Sequence, residues 1–98
     1  MSVVVVNRLK LNVPVDQLSP TIAEAFPPVF DACRGFERFE LVKVGDQEAV
    51  VLIHWSDAAA AQDGAARIGP TLFNEHITPH LAADQERVVG AVVVEHGR

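Results

Sequence analysis

The order and type of the hydrophobic segments in this chain of 98 residues predict an α+β fold, with one four-stranded antiparallel sheet and helices on one of its faces. Three observations support this prediction. β-branched residues dominate the first segment, apolar residues three and four positions apart mark two helical regions, and a Gly-Asp pair joins two extended segments.

The first strand is predicted over Val3 to about Val13, because this segment is rich in β-branched residues. Side chains alternate between the two faces of a strand, which places Asn7 on the inward face. The apolar residues on that face are Val3, Val5, Leu9 and Leu11. A buried amide without partners costs roughly 1–3 kcal/mol. Asn7 is therefore predicted either to bond to the backbone or to line a cavity that receives a ligand.

The first helix is predicted from about Asp16 to Cys33, where apolar residues recur at helical spacing. Asp16 or Ser19 is expected to be its N-cap. Pro27 and Pro28 lack amide hydrogens, so we expect them to kink or split the helix.

Phe36 to Val44 and Gln47 to Trp55 are predicted to form an antiparallel hairpin, because the short turn at Gly45-Asp46 joins them. His54 should then point to the sheet face opposite Trp55.

The second helical region is predicted in two parts. Ser56 or Asp57 should cap the first part, Ala58 to about Arg67, which we expect to be interrupted near Gly64. A second short part should run from Gly69 to about Ile77, because Gly-Pro suits a helix start.

The last strand is predicted from Glu86 to Glu95, and its nearly continuous valines suggest burial on both faces. The resulting order is the ferredoxin-like βαββαβ arrangement of a single domain, residues 1–98. One sheet face would then expose a large apolar patch, including Val4, Val6, Val50 and Leu52. Such patches usually mark interfaces, so we expect a homodimer through the open sheet face.

Composition excludes several classes of protein. Thirteen acidic and eight scattered basic residues give a net charge of −5, which argues against nucleic acid as a partner. The single cysteine, Cys33, excludes an internal disulfide and a thiolate metal cluster. No apolar stretch is long enough for a membrane span and no signal-peptide pattern is present, so a cytoplasmic location and no membrane partner are expected.

Three segments in this order resemble antibiotic biosynthesis monooxygenase domains across nearly the whole chain. They are residues 7–11 (Asn-Arg-Leu-Lys-Leu), residues 35–41 (Gly-Phe-Glu-Arg-Phe-Glu-Leu) and residues 54–57 (His-Trp-Ser-Asp). The resemblance implies a dimeric α+β barrel, with a cavity between sheet and helices in each subunit.

Within that family, the first-strand segment is similar to IsdG-type heme-degrading monooxygenases. In those enzymes a first-strand Asn, a second-helix Trp and a proximal His shape the heme site. Asn7 matches the first and His76 is a candidate for the third, but no aromatic residue stands near Asp63-Gly64, where the tryptophan should fall. The resemblance leaves heme binding possible and oxidative heme cleavage unsupported.

The quinol-oxidising branch of the family offers the other comparison, through Trp55. Val51 replaces the asparagine expected four residues earlier, and the chain has no tyrosine. That branch's catalytic set is therefore not present as such.

The candidate catalytic residues are accordingly Asn7 and His76, and the candidate substrate-binding residues are Trp55, Phe26, Phe30, Leu72 and Phe73. No metal site is expected, because Pro79 interrupts the helix between His76 and His80; His76 would bind iron only if heme were present.

Three hypotheses follow. The first is a cofactor-independent monooxygenase acting on a planar aromatic or quinol in the cavity, with Asn7 and His76 stabilising the substrate anion. The second is a heme-binding or heme-degrading protein with His76 as the axial ligand. The third is a dimer that binds a small molecule without oxidising it, or an isomerase.

Overall fold

Four strands form one antiparallel sheet in the order β2-β3-β1-β4, with the helices on one face, in a computed structural model that describes residues 1–97. The strands are β1 (Val3–Lys10), β2 (Phe36–Gly45), β3 (Glu48–Trp55) and β4 (Glu86–Ala91). The helical segments are α1 (Val15–Asp31), α2 (Ala58–Ile68), a π-helical turn (Gly69–Phe73), α3 (Asn74–His76) and a 3-10 turn (Thr78–His80). The predicted ferredoxin-like α+β fold is confirmed.

Strand β1 alternates between buried and more exposed residues, as predicted. Asn7 is 4% exposed and shares the inward face with Val5 and Leu9, which are similarly buried. The strand ends at Lys10 rather than near Val13, because Leu11 makes only an isolated bridge with Leu81 before the chain turns. The predicted parity therefore holds, although the predicted boundary is three residues too long.

Helix α1 runs without a break through Pro27 and Pro28, so the predicted split is wrong. The two prolines remove the hydrogen bonds to the carbonyl groups of Ala23 and Glu24. All four residues lie on the exposed side of the helix, where water can solvate these carbonyl groups. The predicted N-cap is also wrong. Pro14 holds that position in an extended conformation, and no side chain caps the helix.

Strands β2 and β3 form the predicted antiparallel hairpin. Trp55 is 1% exposed on the helix side of β3, and His54 lies on the opposite face, as expected. On that face His54 Nε2 lies 3.3 Å from Glu40 Oε1.

Helix α2 begins at a side-chain cap, in which Asp57 accepts a hydrogen bond of 2.7 Å from the amide of Ala60. Asp57 was one of the two residues predicted for this position. The expected interruption near Gly64 is wrong, because α2 is continuous from Ala58 to Ile68. Gly64 serves packing instead: a Cβ there would collide with the Trp55 indole.

Strand β4 is shorter than predicted and is not buried. It ends at Ala91, and all six of its residues are exposed in the single chain. The reason is its place at the edge of the sheet, next to β1 alone. Its valines, with Val88 63% and Val89 46% exposed, cannot gain the burial expected of a central strand.

An aromatic cluster fills the core beneath α1. Phe30 lies at its centre, with ring centroids 4.9 Å from Phe36 and 5.0 Å from Phe39. Phe26 contacts Phe39 on one side and Phe73 on the other. Within residues 1–97, no helix is both long and apolar enough to cross a membrane.

Candidate functional site

A partly open cavity of about 160 Å³ lies between the sheet and α2, on the side of the molecule that faces β4. It is lined by Val5 and Asn7 of β1, Ile53 and Trp55 of β3, Ala61, Ala65 and Ile68 of α2, Gly69 and Phe73 of the π-helical turn, and Asn74, Gln85 and Arg87. An engineered apolar cavity of about 150 Å³ is known to bind benzene. The cavity therefore has the size of one aromatic ring.

The cavity exists because α2 covers the sheet with small side chains. Its buried positions before Ile68 are Ala60, Ala61 and Gly64. Beneath α1, by contrast, phenylalanines occupy the corresponding layer. The run of alanines in α2 leaves volume unfilled above Asn7.

Gly64 fixes one wall of the cavity. The Trp55 indole lies flush against the helix at Gly64, where an added Cβ would come within 2.5 Å of Cζ2. Phe36 packs edge-on against the same indole, with centroids 5.8 Å apart. Trp55 is therefore held between α2 and the aromatic cluster and forms a rigid apolar wall.

Asn7 provides the polar group at the bottom of the cavity. Its Nδ2 donates a hydrogen bond of 3.0 Å to Oε1 of Gln85. Its Oδ1 is buried and has no hydrogen-bond partner among residues 1–97. Leaving a buried acceptor unsatisfied costs roughly 1–3 kcal/mol, so a native structure that keeps one usually has a reason for it. The Asn7 side chain therefore bonds to another side chain and not to the backbone, which was one of the two predicted alternatives.

Three further polar side chains line the cavity, and sequence reasoning missed all of them. Gln85 uses its Oε1 to accept from Asn7, which leaves its NH2 group free to donate. Asn74 accepts a hydrogen bond of 3.4 Å from Thr78 and likewise keeps its NH2 group. Arg87 is the only ionisable residue of the lining. It lies directly opposite Asn7 in the β1–β4 register.

The π-helical turn decides which residues of the second helical region reach the cavity. Ala61, Ala65 and Ile68 follow α-helical spacing, and continuing that spacing would bring Leu72 and His76 to the same face. The turn at Gly69–Phe73 has i→i+5 bonding, seen in the bond from the Asn74 amide to the Gly69 carbonyl. It shifts the phase by one residue, so that Phe73 and Asn74 line the cavity instead.

His76 lies outside the cavity lining. Its side chain is 29% exposed, its Nε2 is 3.8 Å from Glu75 Oε2, and its ring lies 6.0 Å from that of Phe26. The expectation that Asn7 and His76 project into one cavity is not met. Leu72, Phe26 and Phe30 also lie in the packed core rather than on the lining. Of the seven predicted site residues, the cavity brings together Asn7, Trp55 and Phe73.

The cavity of the free chain is smaller than a heme group. A porphyrin is a disc of four linked pyrrole rings, and the cavity has the volume of one aromatic ring. The described lining residues include no histidine, cysteine or tyrosine that could bind iron axially. Within residues 1–97 there is also no cluster of three or more metal-ligating side chains.

Comparison with known proteins yields structural matches only. No protein-family model matches the chain, and no curated protein matches it. Among solved structures, it is similar to SnoaB from Streptomyces nogalater, a cofactor-independent oxygenase, with a TM-score of 0.78, 19% identity and coverage of 96% of this chain and 95% of that one.

Two further structures are similar over almost their whole length. The monooxygenase ActVA-Orf6 of Streptomyces coelicolor, solved with nanaomycin D, gives a TM-score of 0.73 at 17% identity, covering 96% of this chain and 93% of that one. A MhuD variant with two manganese protoporphyrin IX molecules per active site gives 0.74 at 22% identity, covering 98% and 99%. The chain therefore has the fold of antibiotic biosynthesis monooxygenase domains.

Proposed function

We propose that this protein is a cofactor-independent oxygenase that binds one phenol or hydroquinone ring in the cavity and oxidises it with O2. The observation that carries the proposal is that Asn7, a residue only 4% exposed whose Oδ1 has no partner within residues 1–97, lines a cavity of the size of one ring. The fold shared with SnoaB, a cofactor-independent oxygenase, supports the same activity.

The ring would lie between Trp55 and Phe73. A rotation of the Asn7 amide would let its Oδ1, which is shielded in the free chain, accept a hydrogen bond from the hydroxyl group of the ring. This bond would satisfy the buried acceptor that the protein leaves without a partner. The apolar walls would exclude water from the ring, which strengthens every polar contact made inside.

Asn7 and Gln85 together can serve both protonation states of the substrate. With a neutral hydroxyl group, Oδ1 of Asn7 would accept from the substrate, and its Nδ2 would keep the hydrogen bond that it donates to Gln85 in the free chain. When the hydroxyl group loses its proton, both amides can turn over, so that Nδ2 donates to the oxyanion and Oδ1 accepts from Gln85. The described lining residues include no carboxylate or imidazole to take the proton, which would pass to water at the open side.

The substrate itself would supply the electrons for O2. A phenolate transfers electrons to O2, a carbon–oxygen bond forms at a ring carbon, and the hydroperoxide loses water. With hydroquinone as the substrate, one hydroquinone and one O2 give one hydroxyquinone and one water. The ring gives four electrons, one oxygen atom enters the product as a carbonyl or hydroxyl group, and the other leaves as water.

The test is aerobic incubation with a panel of phenols and hydroquinones, followed by an oxygen electrode and by mass spectrometry after isotopically labelled O2. The proposal predicts uptake of one O2 per ring oxidised, one labelled oxygen in the product and no hydrogen peroxide. Asn7→Leu should reduce uptake to the level without protein. If no phenol gives uptake above that of Asn7→Leu, or if the product is hydrogen peroxide without label in the ring, the proposal is wrong.

Binding experiments on the same cavity distinguish the oxygenase from the two alternative hypotheses. Titration with hemin should give no Soret band that depends on His76, and a band abolished by His76→Ala would support heme binding instead. A protein that binds a ring without oxidising it would show saturable binding and no uptake of O2. A cavity filled by Phe26, Phe30 and Leu72 would have favoured this third hypothesis over oxidation, and these residues lie in the packed core outside the lining.

We also propose that two chains associate through the open sheet face. This face carries half-buried or exposed apolar residues on every strand, among them Val6, Leu52, Val44 and Val88. Apolar side chains that all four strands present on one face are typical of an interface rather than of a solvated surface. Leu52→Glu should convert a dimer into a monomer in sedimentation analysis, whereas Thr21→Glu on the exposed side of α1 should not. A wild-type protein that sediments as a monomer would contradict this proposal.

A further inference from the structure

Arg87 lies at the junction of two spaces. Its side chain lines the ring-sized cavity and also a neighbouring groove of about 420 Å³ between α2 and β4. The remaining residues of the groove are Ala58, Ala59, Ala61, Gln62 and Val89. A ligand that places a ring against Asn7 can therefore extend a substituent past Arg87 into the groove.

The positive charge of Arg87 has no partner within residues 1–97. No hydrogen bond or ion pair of its side chain occurs there, whereas Arg34 pairs with Asp63 and Lys43 pairs with Asp16. The cavity and the groove have no acidic lining residue. The neighbouring Glu86 points to the other face of β4, because successive side chains of a strand alternate.

The positive charge of Arg87 differs from the net charge of the chain and from the rest of the cavity lining. The chain has a net charge of −5, so its overall field repels anions. All other polar residues of the ring-sized cavity, Asn7, Asn74 and Gln85, are neutral amides. An arginine can hold a carboxylate through two parallel hydrogen bonds, which fixes orientation as well as adding affinity.

We propose that the substrate carries a carboxylate on or beside its ring, that Arg87 binds this carboxylate, and that Arg87 thereby selects aromatic acids over neutral rings. This inference rests on the proposed function, in that it adds a specificity-determining residue to the same site. The carboxylate lies at the junction of cavity and groove, while the hydroxyl group of the ring reaches Oδ1 of Asn7.

The test is equilibrium binding under nitrogen, so that no oxidation occurs. The probes are gentisate, which is a hydroquinone with one ring carboxylate, and its neutral methyl ester. Hydrogen bonds to charged groups are worth about 1.5–3 kcal/mol, and the exposure of Arg87 places it at the weak end, so the wild type should bind the acid about tenfold more tightly. The preference should fall as salt is added.

Three variants test whether Arg87 causes the preference for the acid over the ester. Arg87→Met should bind acid and ester equally, and Arg87→Lys should retain part of the preference. Arg34→Met, which removes the same charge away from the cavity, should behave as wild type. Thermal denaturation checks that each variant is folded.

The inference is overturned if the wild type binds acid and ester equally, if it binds neither, or if the preference survives in Arg87→Met. These outcomes are distinct from failure of the oxygenase proposal. Binding of gentisate that depends on Arg87, without uptake of O2, would refute the oxygenase and leave this inference standing. Oxidation of neutral hydroquinones without any preference for the acid would refute this inference and leave the oxygenase proposal standing.

Discussion

Replacing Gly64 with alanine should destabilise the protein, because the Trp55 indole occupies the space that the new methyl group needs. A Cβ at this position would collide with Cη2 of Trp55 and would lie 2.5 Å from Cζ2 and 2.7 Å from Cζ3. Favourable carbon–carbon contacts are about 3.5–4.0 Å, so the ring or the helix must move by more than about 1 Å. The indole is 1% exposed and is backed by Phe36 and Phe30, with centroids 5.8 and 6.3 Å away. Neither the indole nor helix α2 can therefore move without disturbing the core.

The magnitude follows from two opposing effects. Overpacking a core typically costs about 1–3 kcal/mol, and a required displacement of this size belongs at the upper end. Alanine is favoured over glycine inside a helix by about 1 kcal/mol. The free energy of unfolding should therefore fall by about 2 kcal/mol, which for a domain of this size lowers Tm by roughly 8–16 °C.

The assay is thermal denaturation followed by circular dichroism at fixed protein concentration, with Gly69→Ala as the matched control. Gly69 has helical backbone angles and no heavy atom within 4 Å of a built Cβ, so the same change there should leave Tm unchanged or raise it. Adding Trp55→Phe should recover part of the loss in Gly64→Ala. Equal Tm values for Gly64→Ala and Gly69→Ala would refute the reasoning.

Three further predictions use the same measurement. Asn7→Leu should leave Tm unchanged or raise it by up to roughly 8 °C while abolishing ligand binding, because it removes an unpartnered buried acceptor; a clear loss of stability would contradict this. Phe30→Ala should lower stability by about 3–5 kcal/mol and the half-buried Phe36→Ala by less, and an inverted order would show that Phe30 is not the centre of the cluster. The Asp16 side chain, through its hydrogen bond and its charge, raises the pKa of Lys43 above 10.5, so this ion pair stabilises the fold below that pH and the stabilisation is lost as pH rises through the raised value. Asp16→Asn should therefore lower Tm slightly at neutral pH and not above the raised pKa, and a loss that persists there would exclude the ion pair as its cause.

The fold was predictable because local patterns and the global arrangement agree in this chain. Alternation in β1 placed Asn7 and its apolar neighbours on the inward face, and the burial of each confirms it. The turn between β2 and β3 defined the hairpin. Such agreement between levels is what makes a sequence specify one structure.

Strand β4 shows that a local sequence pattern does not determine whether a strand is buried. Its valines are typical of a strand buried on both faces, but burial depends on strand order, and β4 is an edge strand. Strand order is a non-local property that no single segment encodes. The prediction that Pro27 and Pro28 would split α1 was wrong for a related reason. The free-energy cost of a lost hydrogen bond depends on whether water reaches the freed carbonyl group, which the local sequence does not determine.

The site was predictable in part. Asn7 could be found from parity, and Trp55 and Phe73 from their place on the helix side. Asn74 and His76 could not be assigned correctly, because one π-helical turn changes the phase of everything after Gly69. Pro70 was the available signal, since a proline disturbs the bonding of the preceding helical turn. Arg87 required the register of β4 on β1, which only the structure supplies.

Two features that lower stability coincide at one place in this molecule, and their coincidence is itself an argument for a ligand. The unpartnered Oδ1 of Asn7 is the sole buried side-chain acceptor or donor without a partner within residues 1–97. The same residue lines a cavity that alanines leave open, although larger side chains at Ala61 or Ala65 would fill it. Either feature alone could be a packing defect, and each could be removed by a single substitution. A chain that packs its other half tightly around the fully buried Phe26 and Phe30 keeps both defects together where a bound ring would repair both at once.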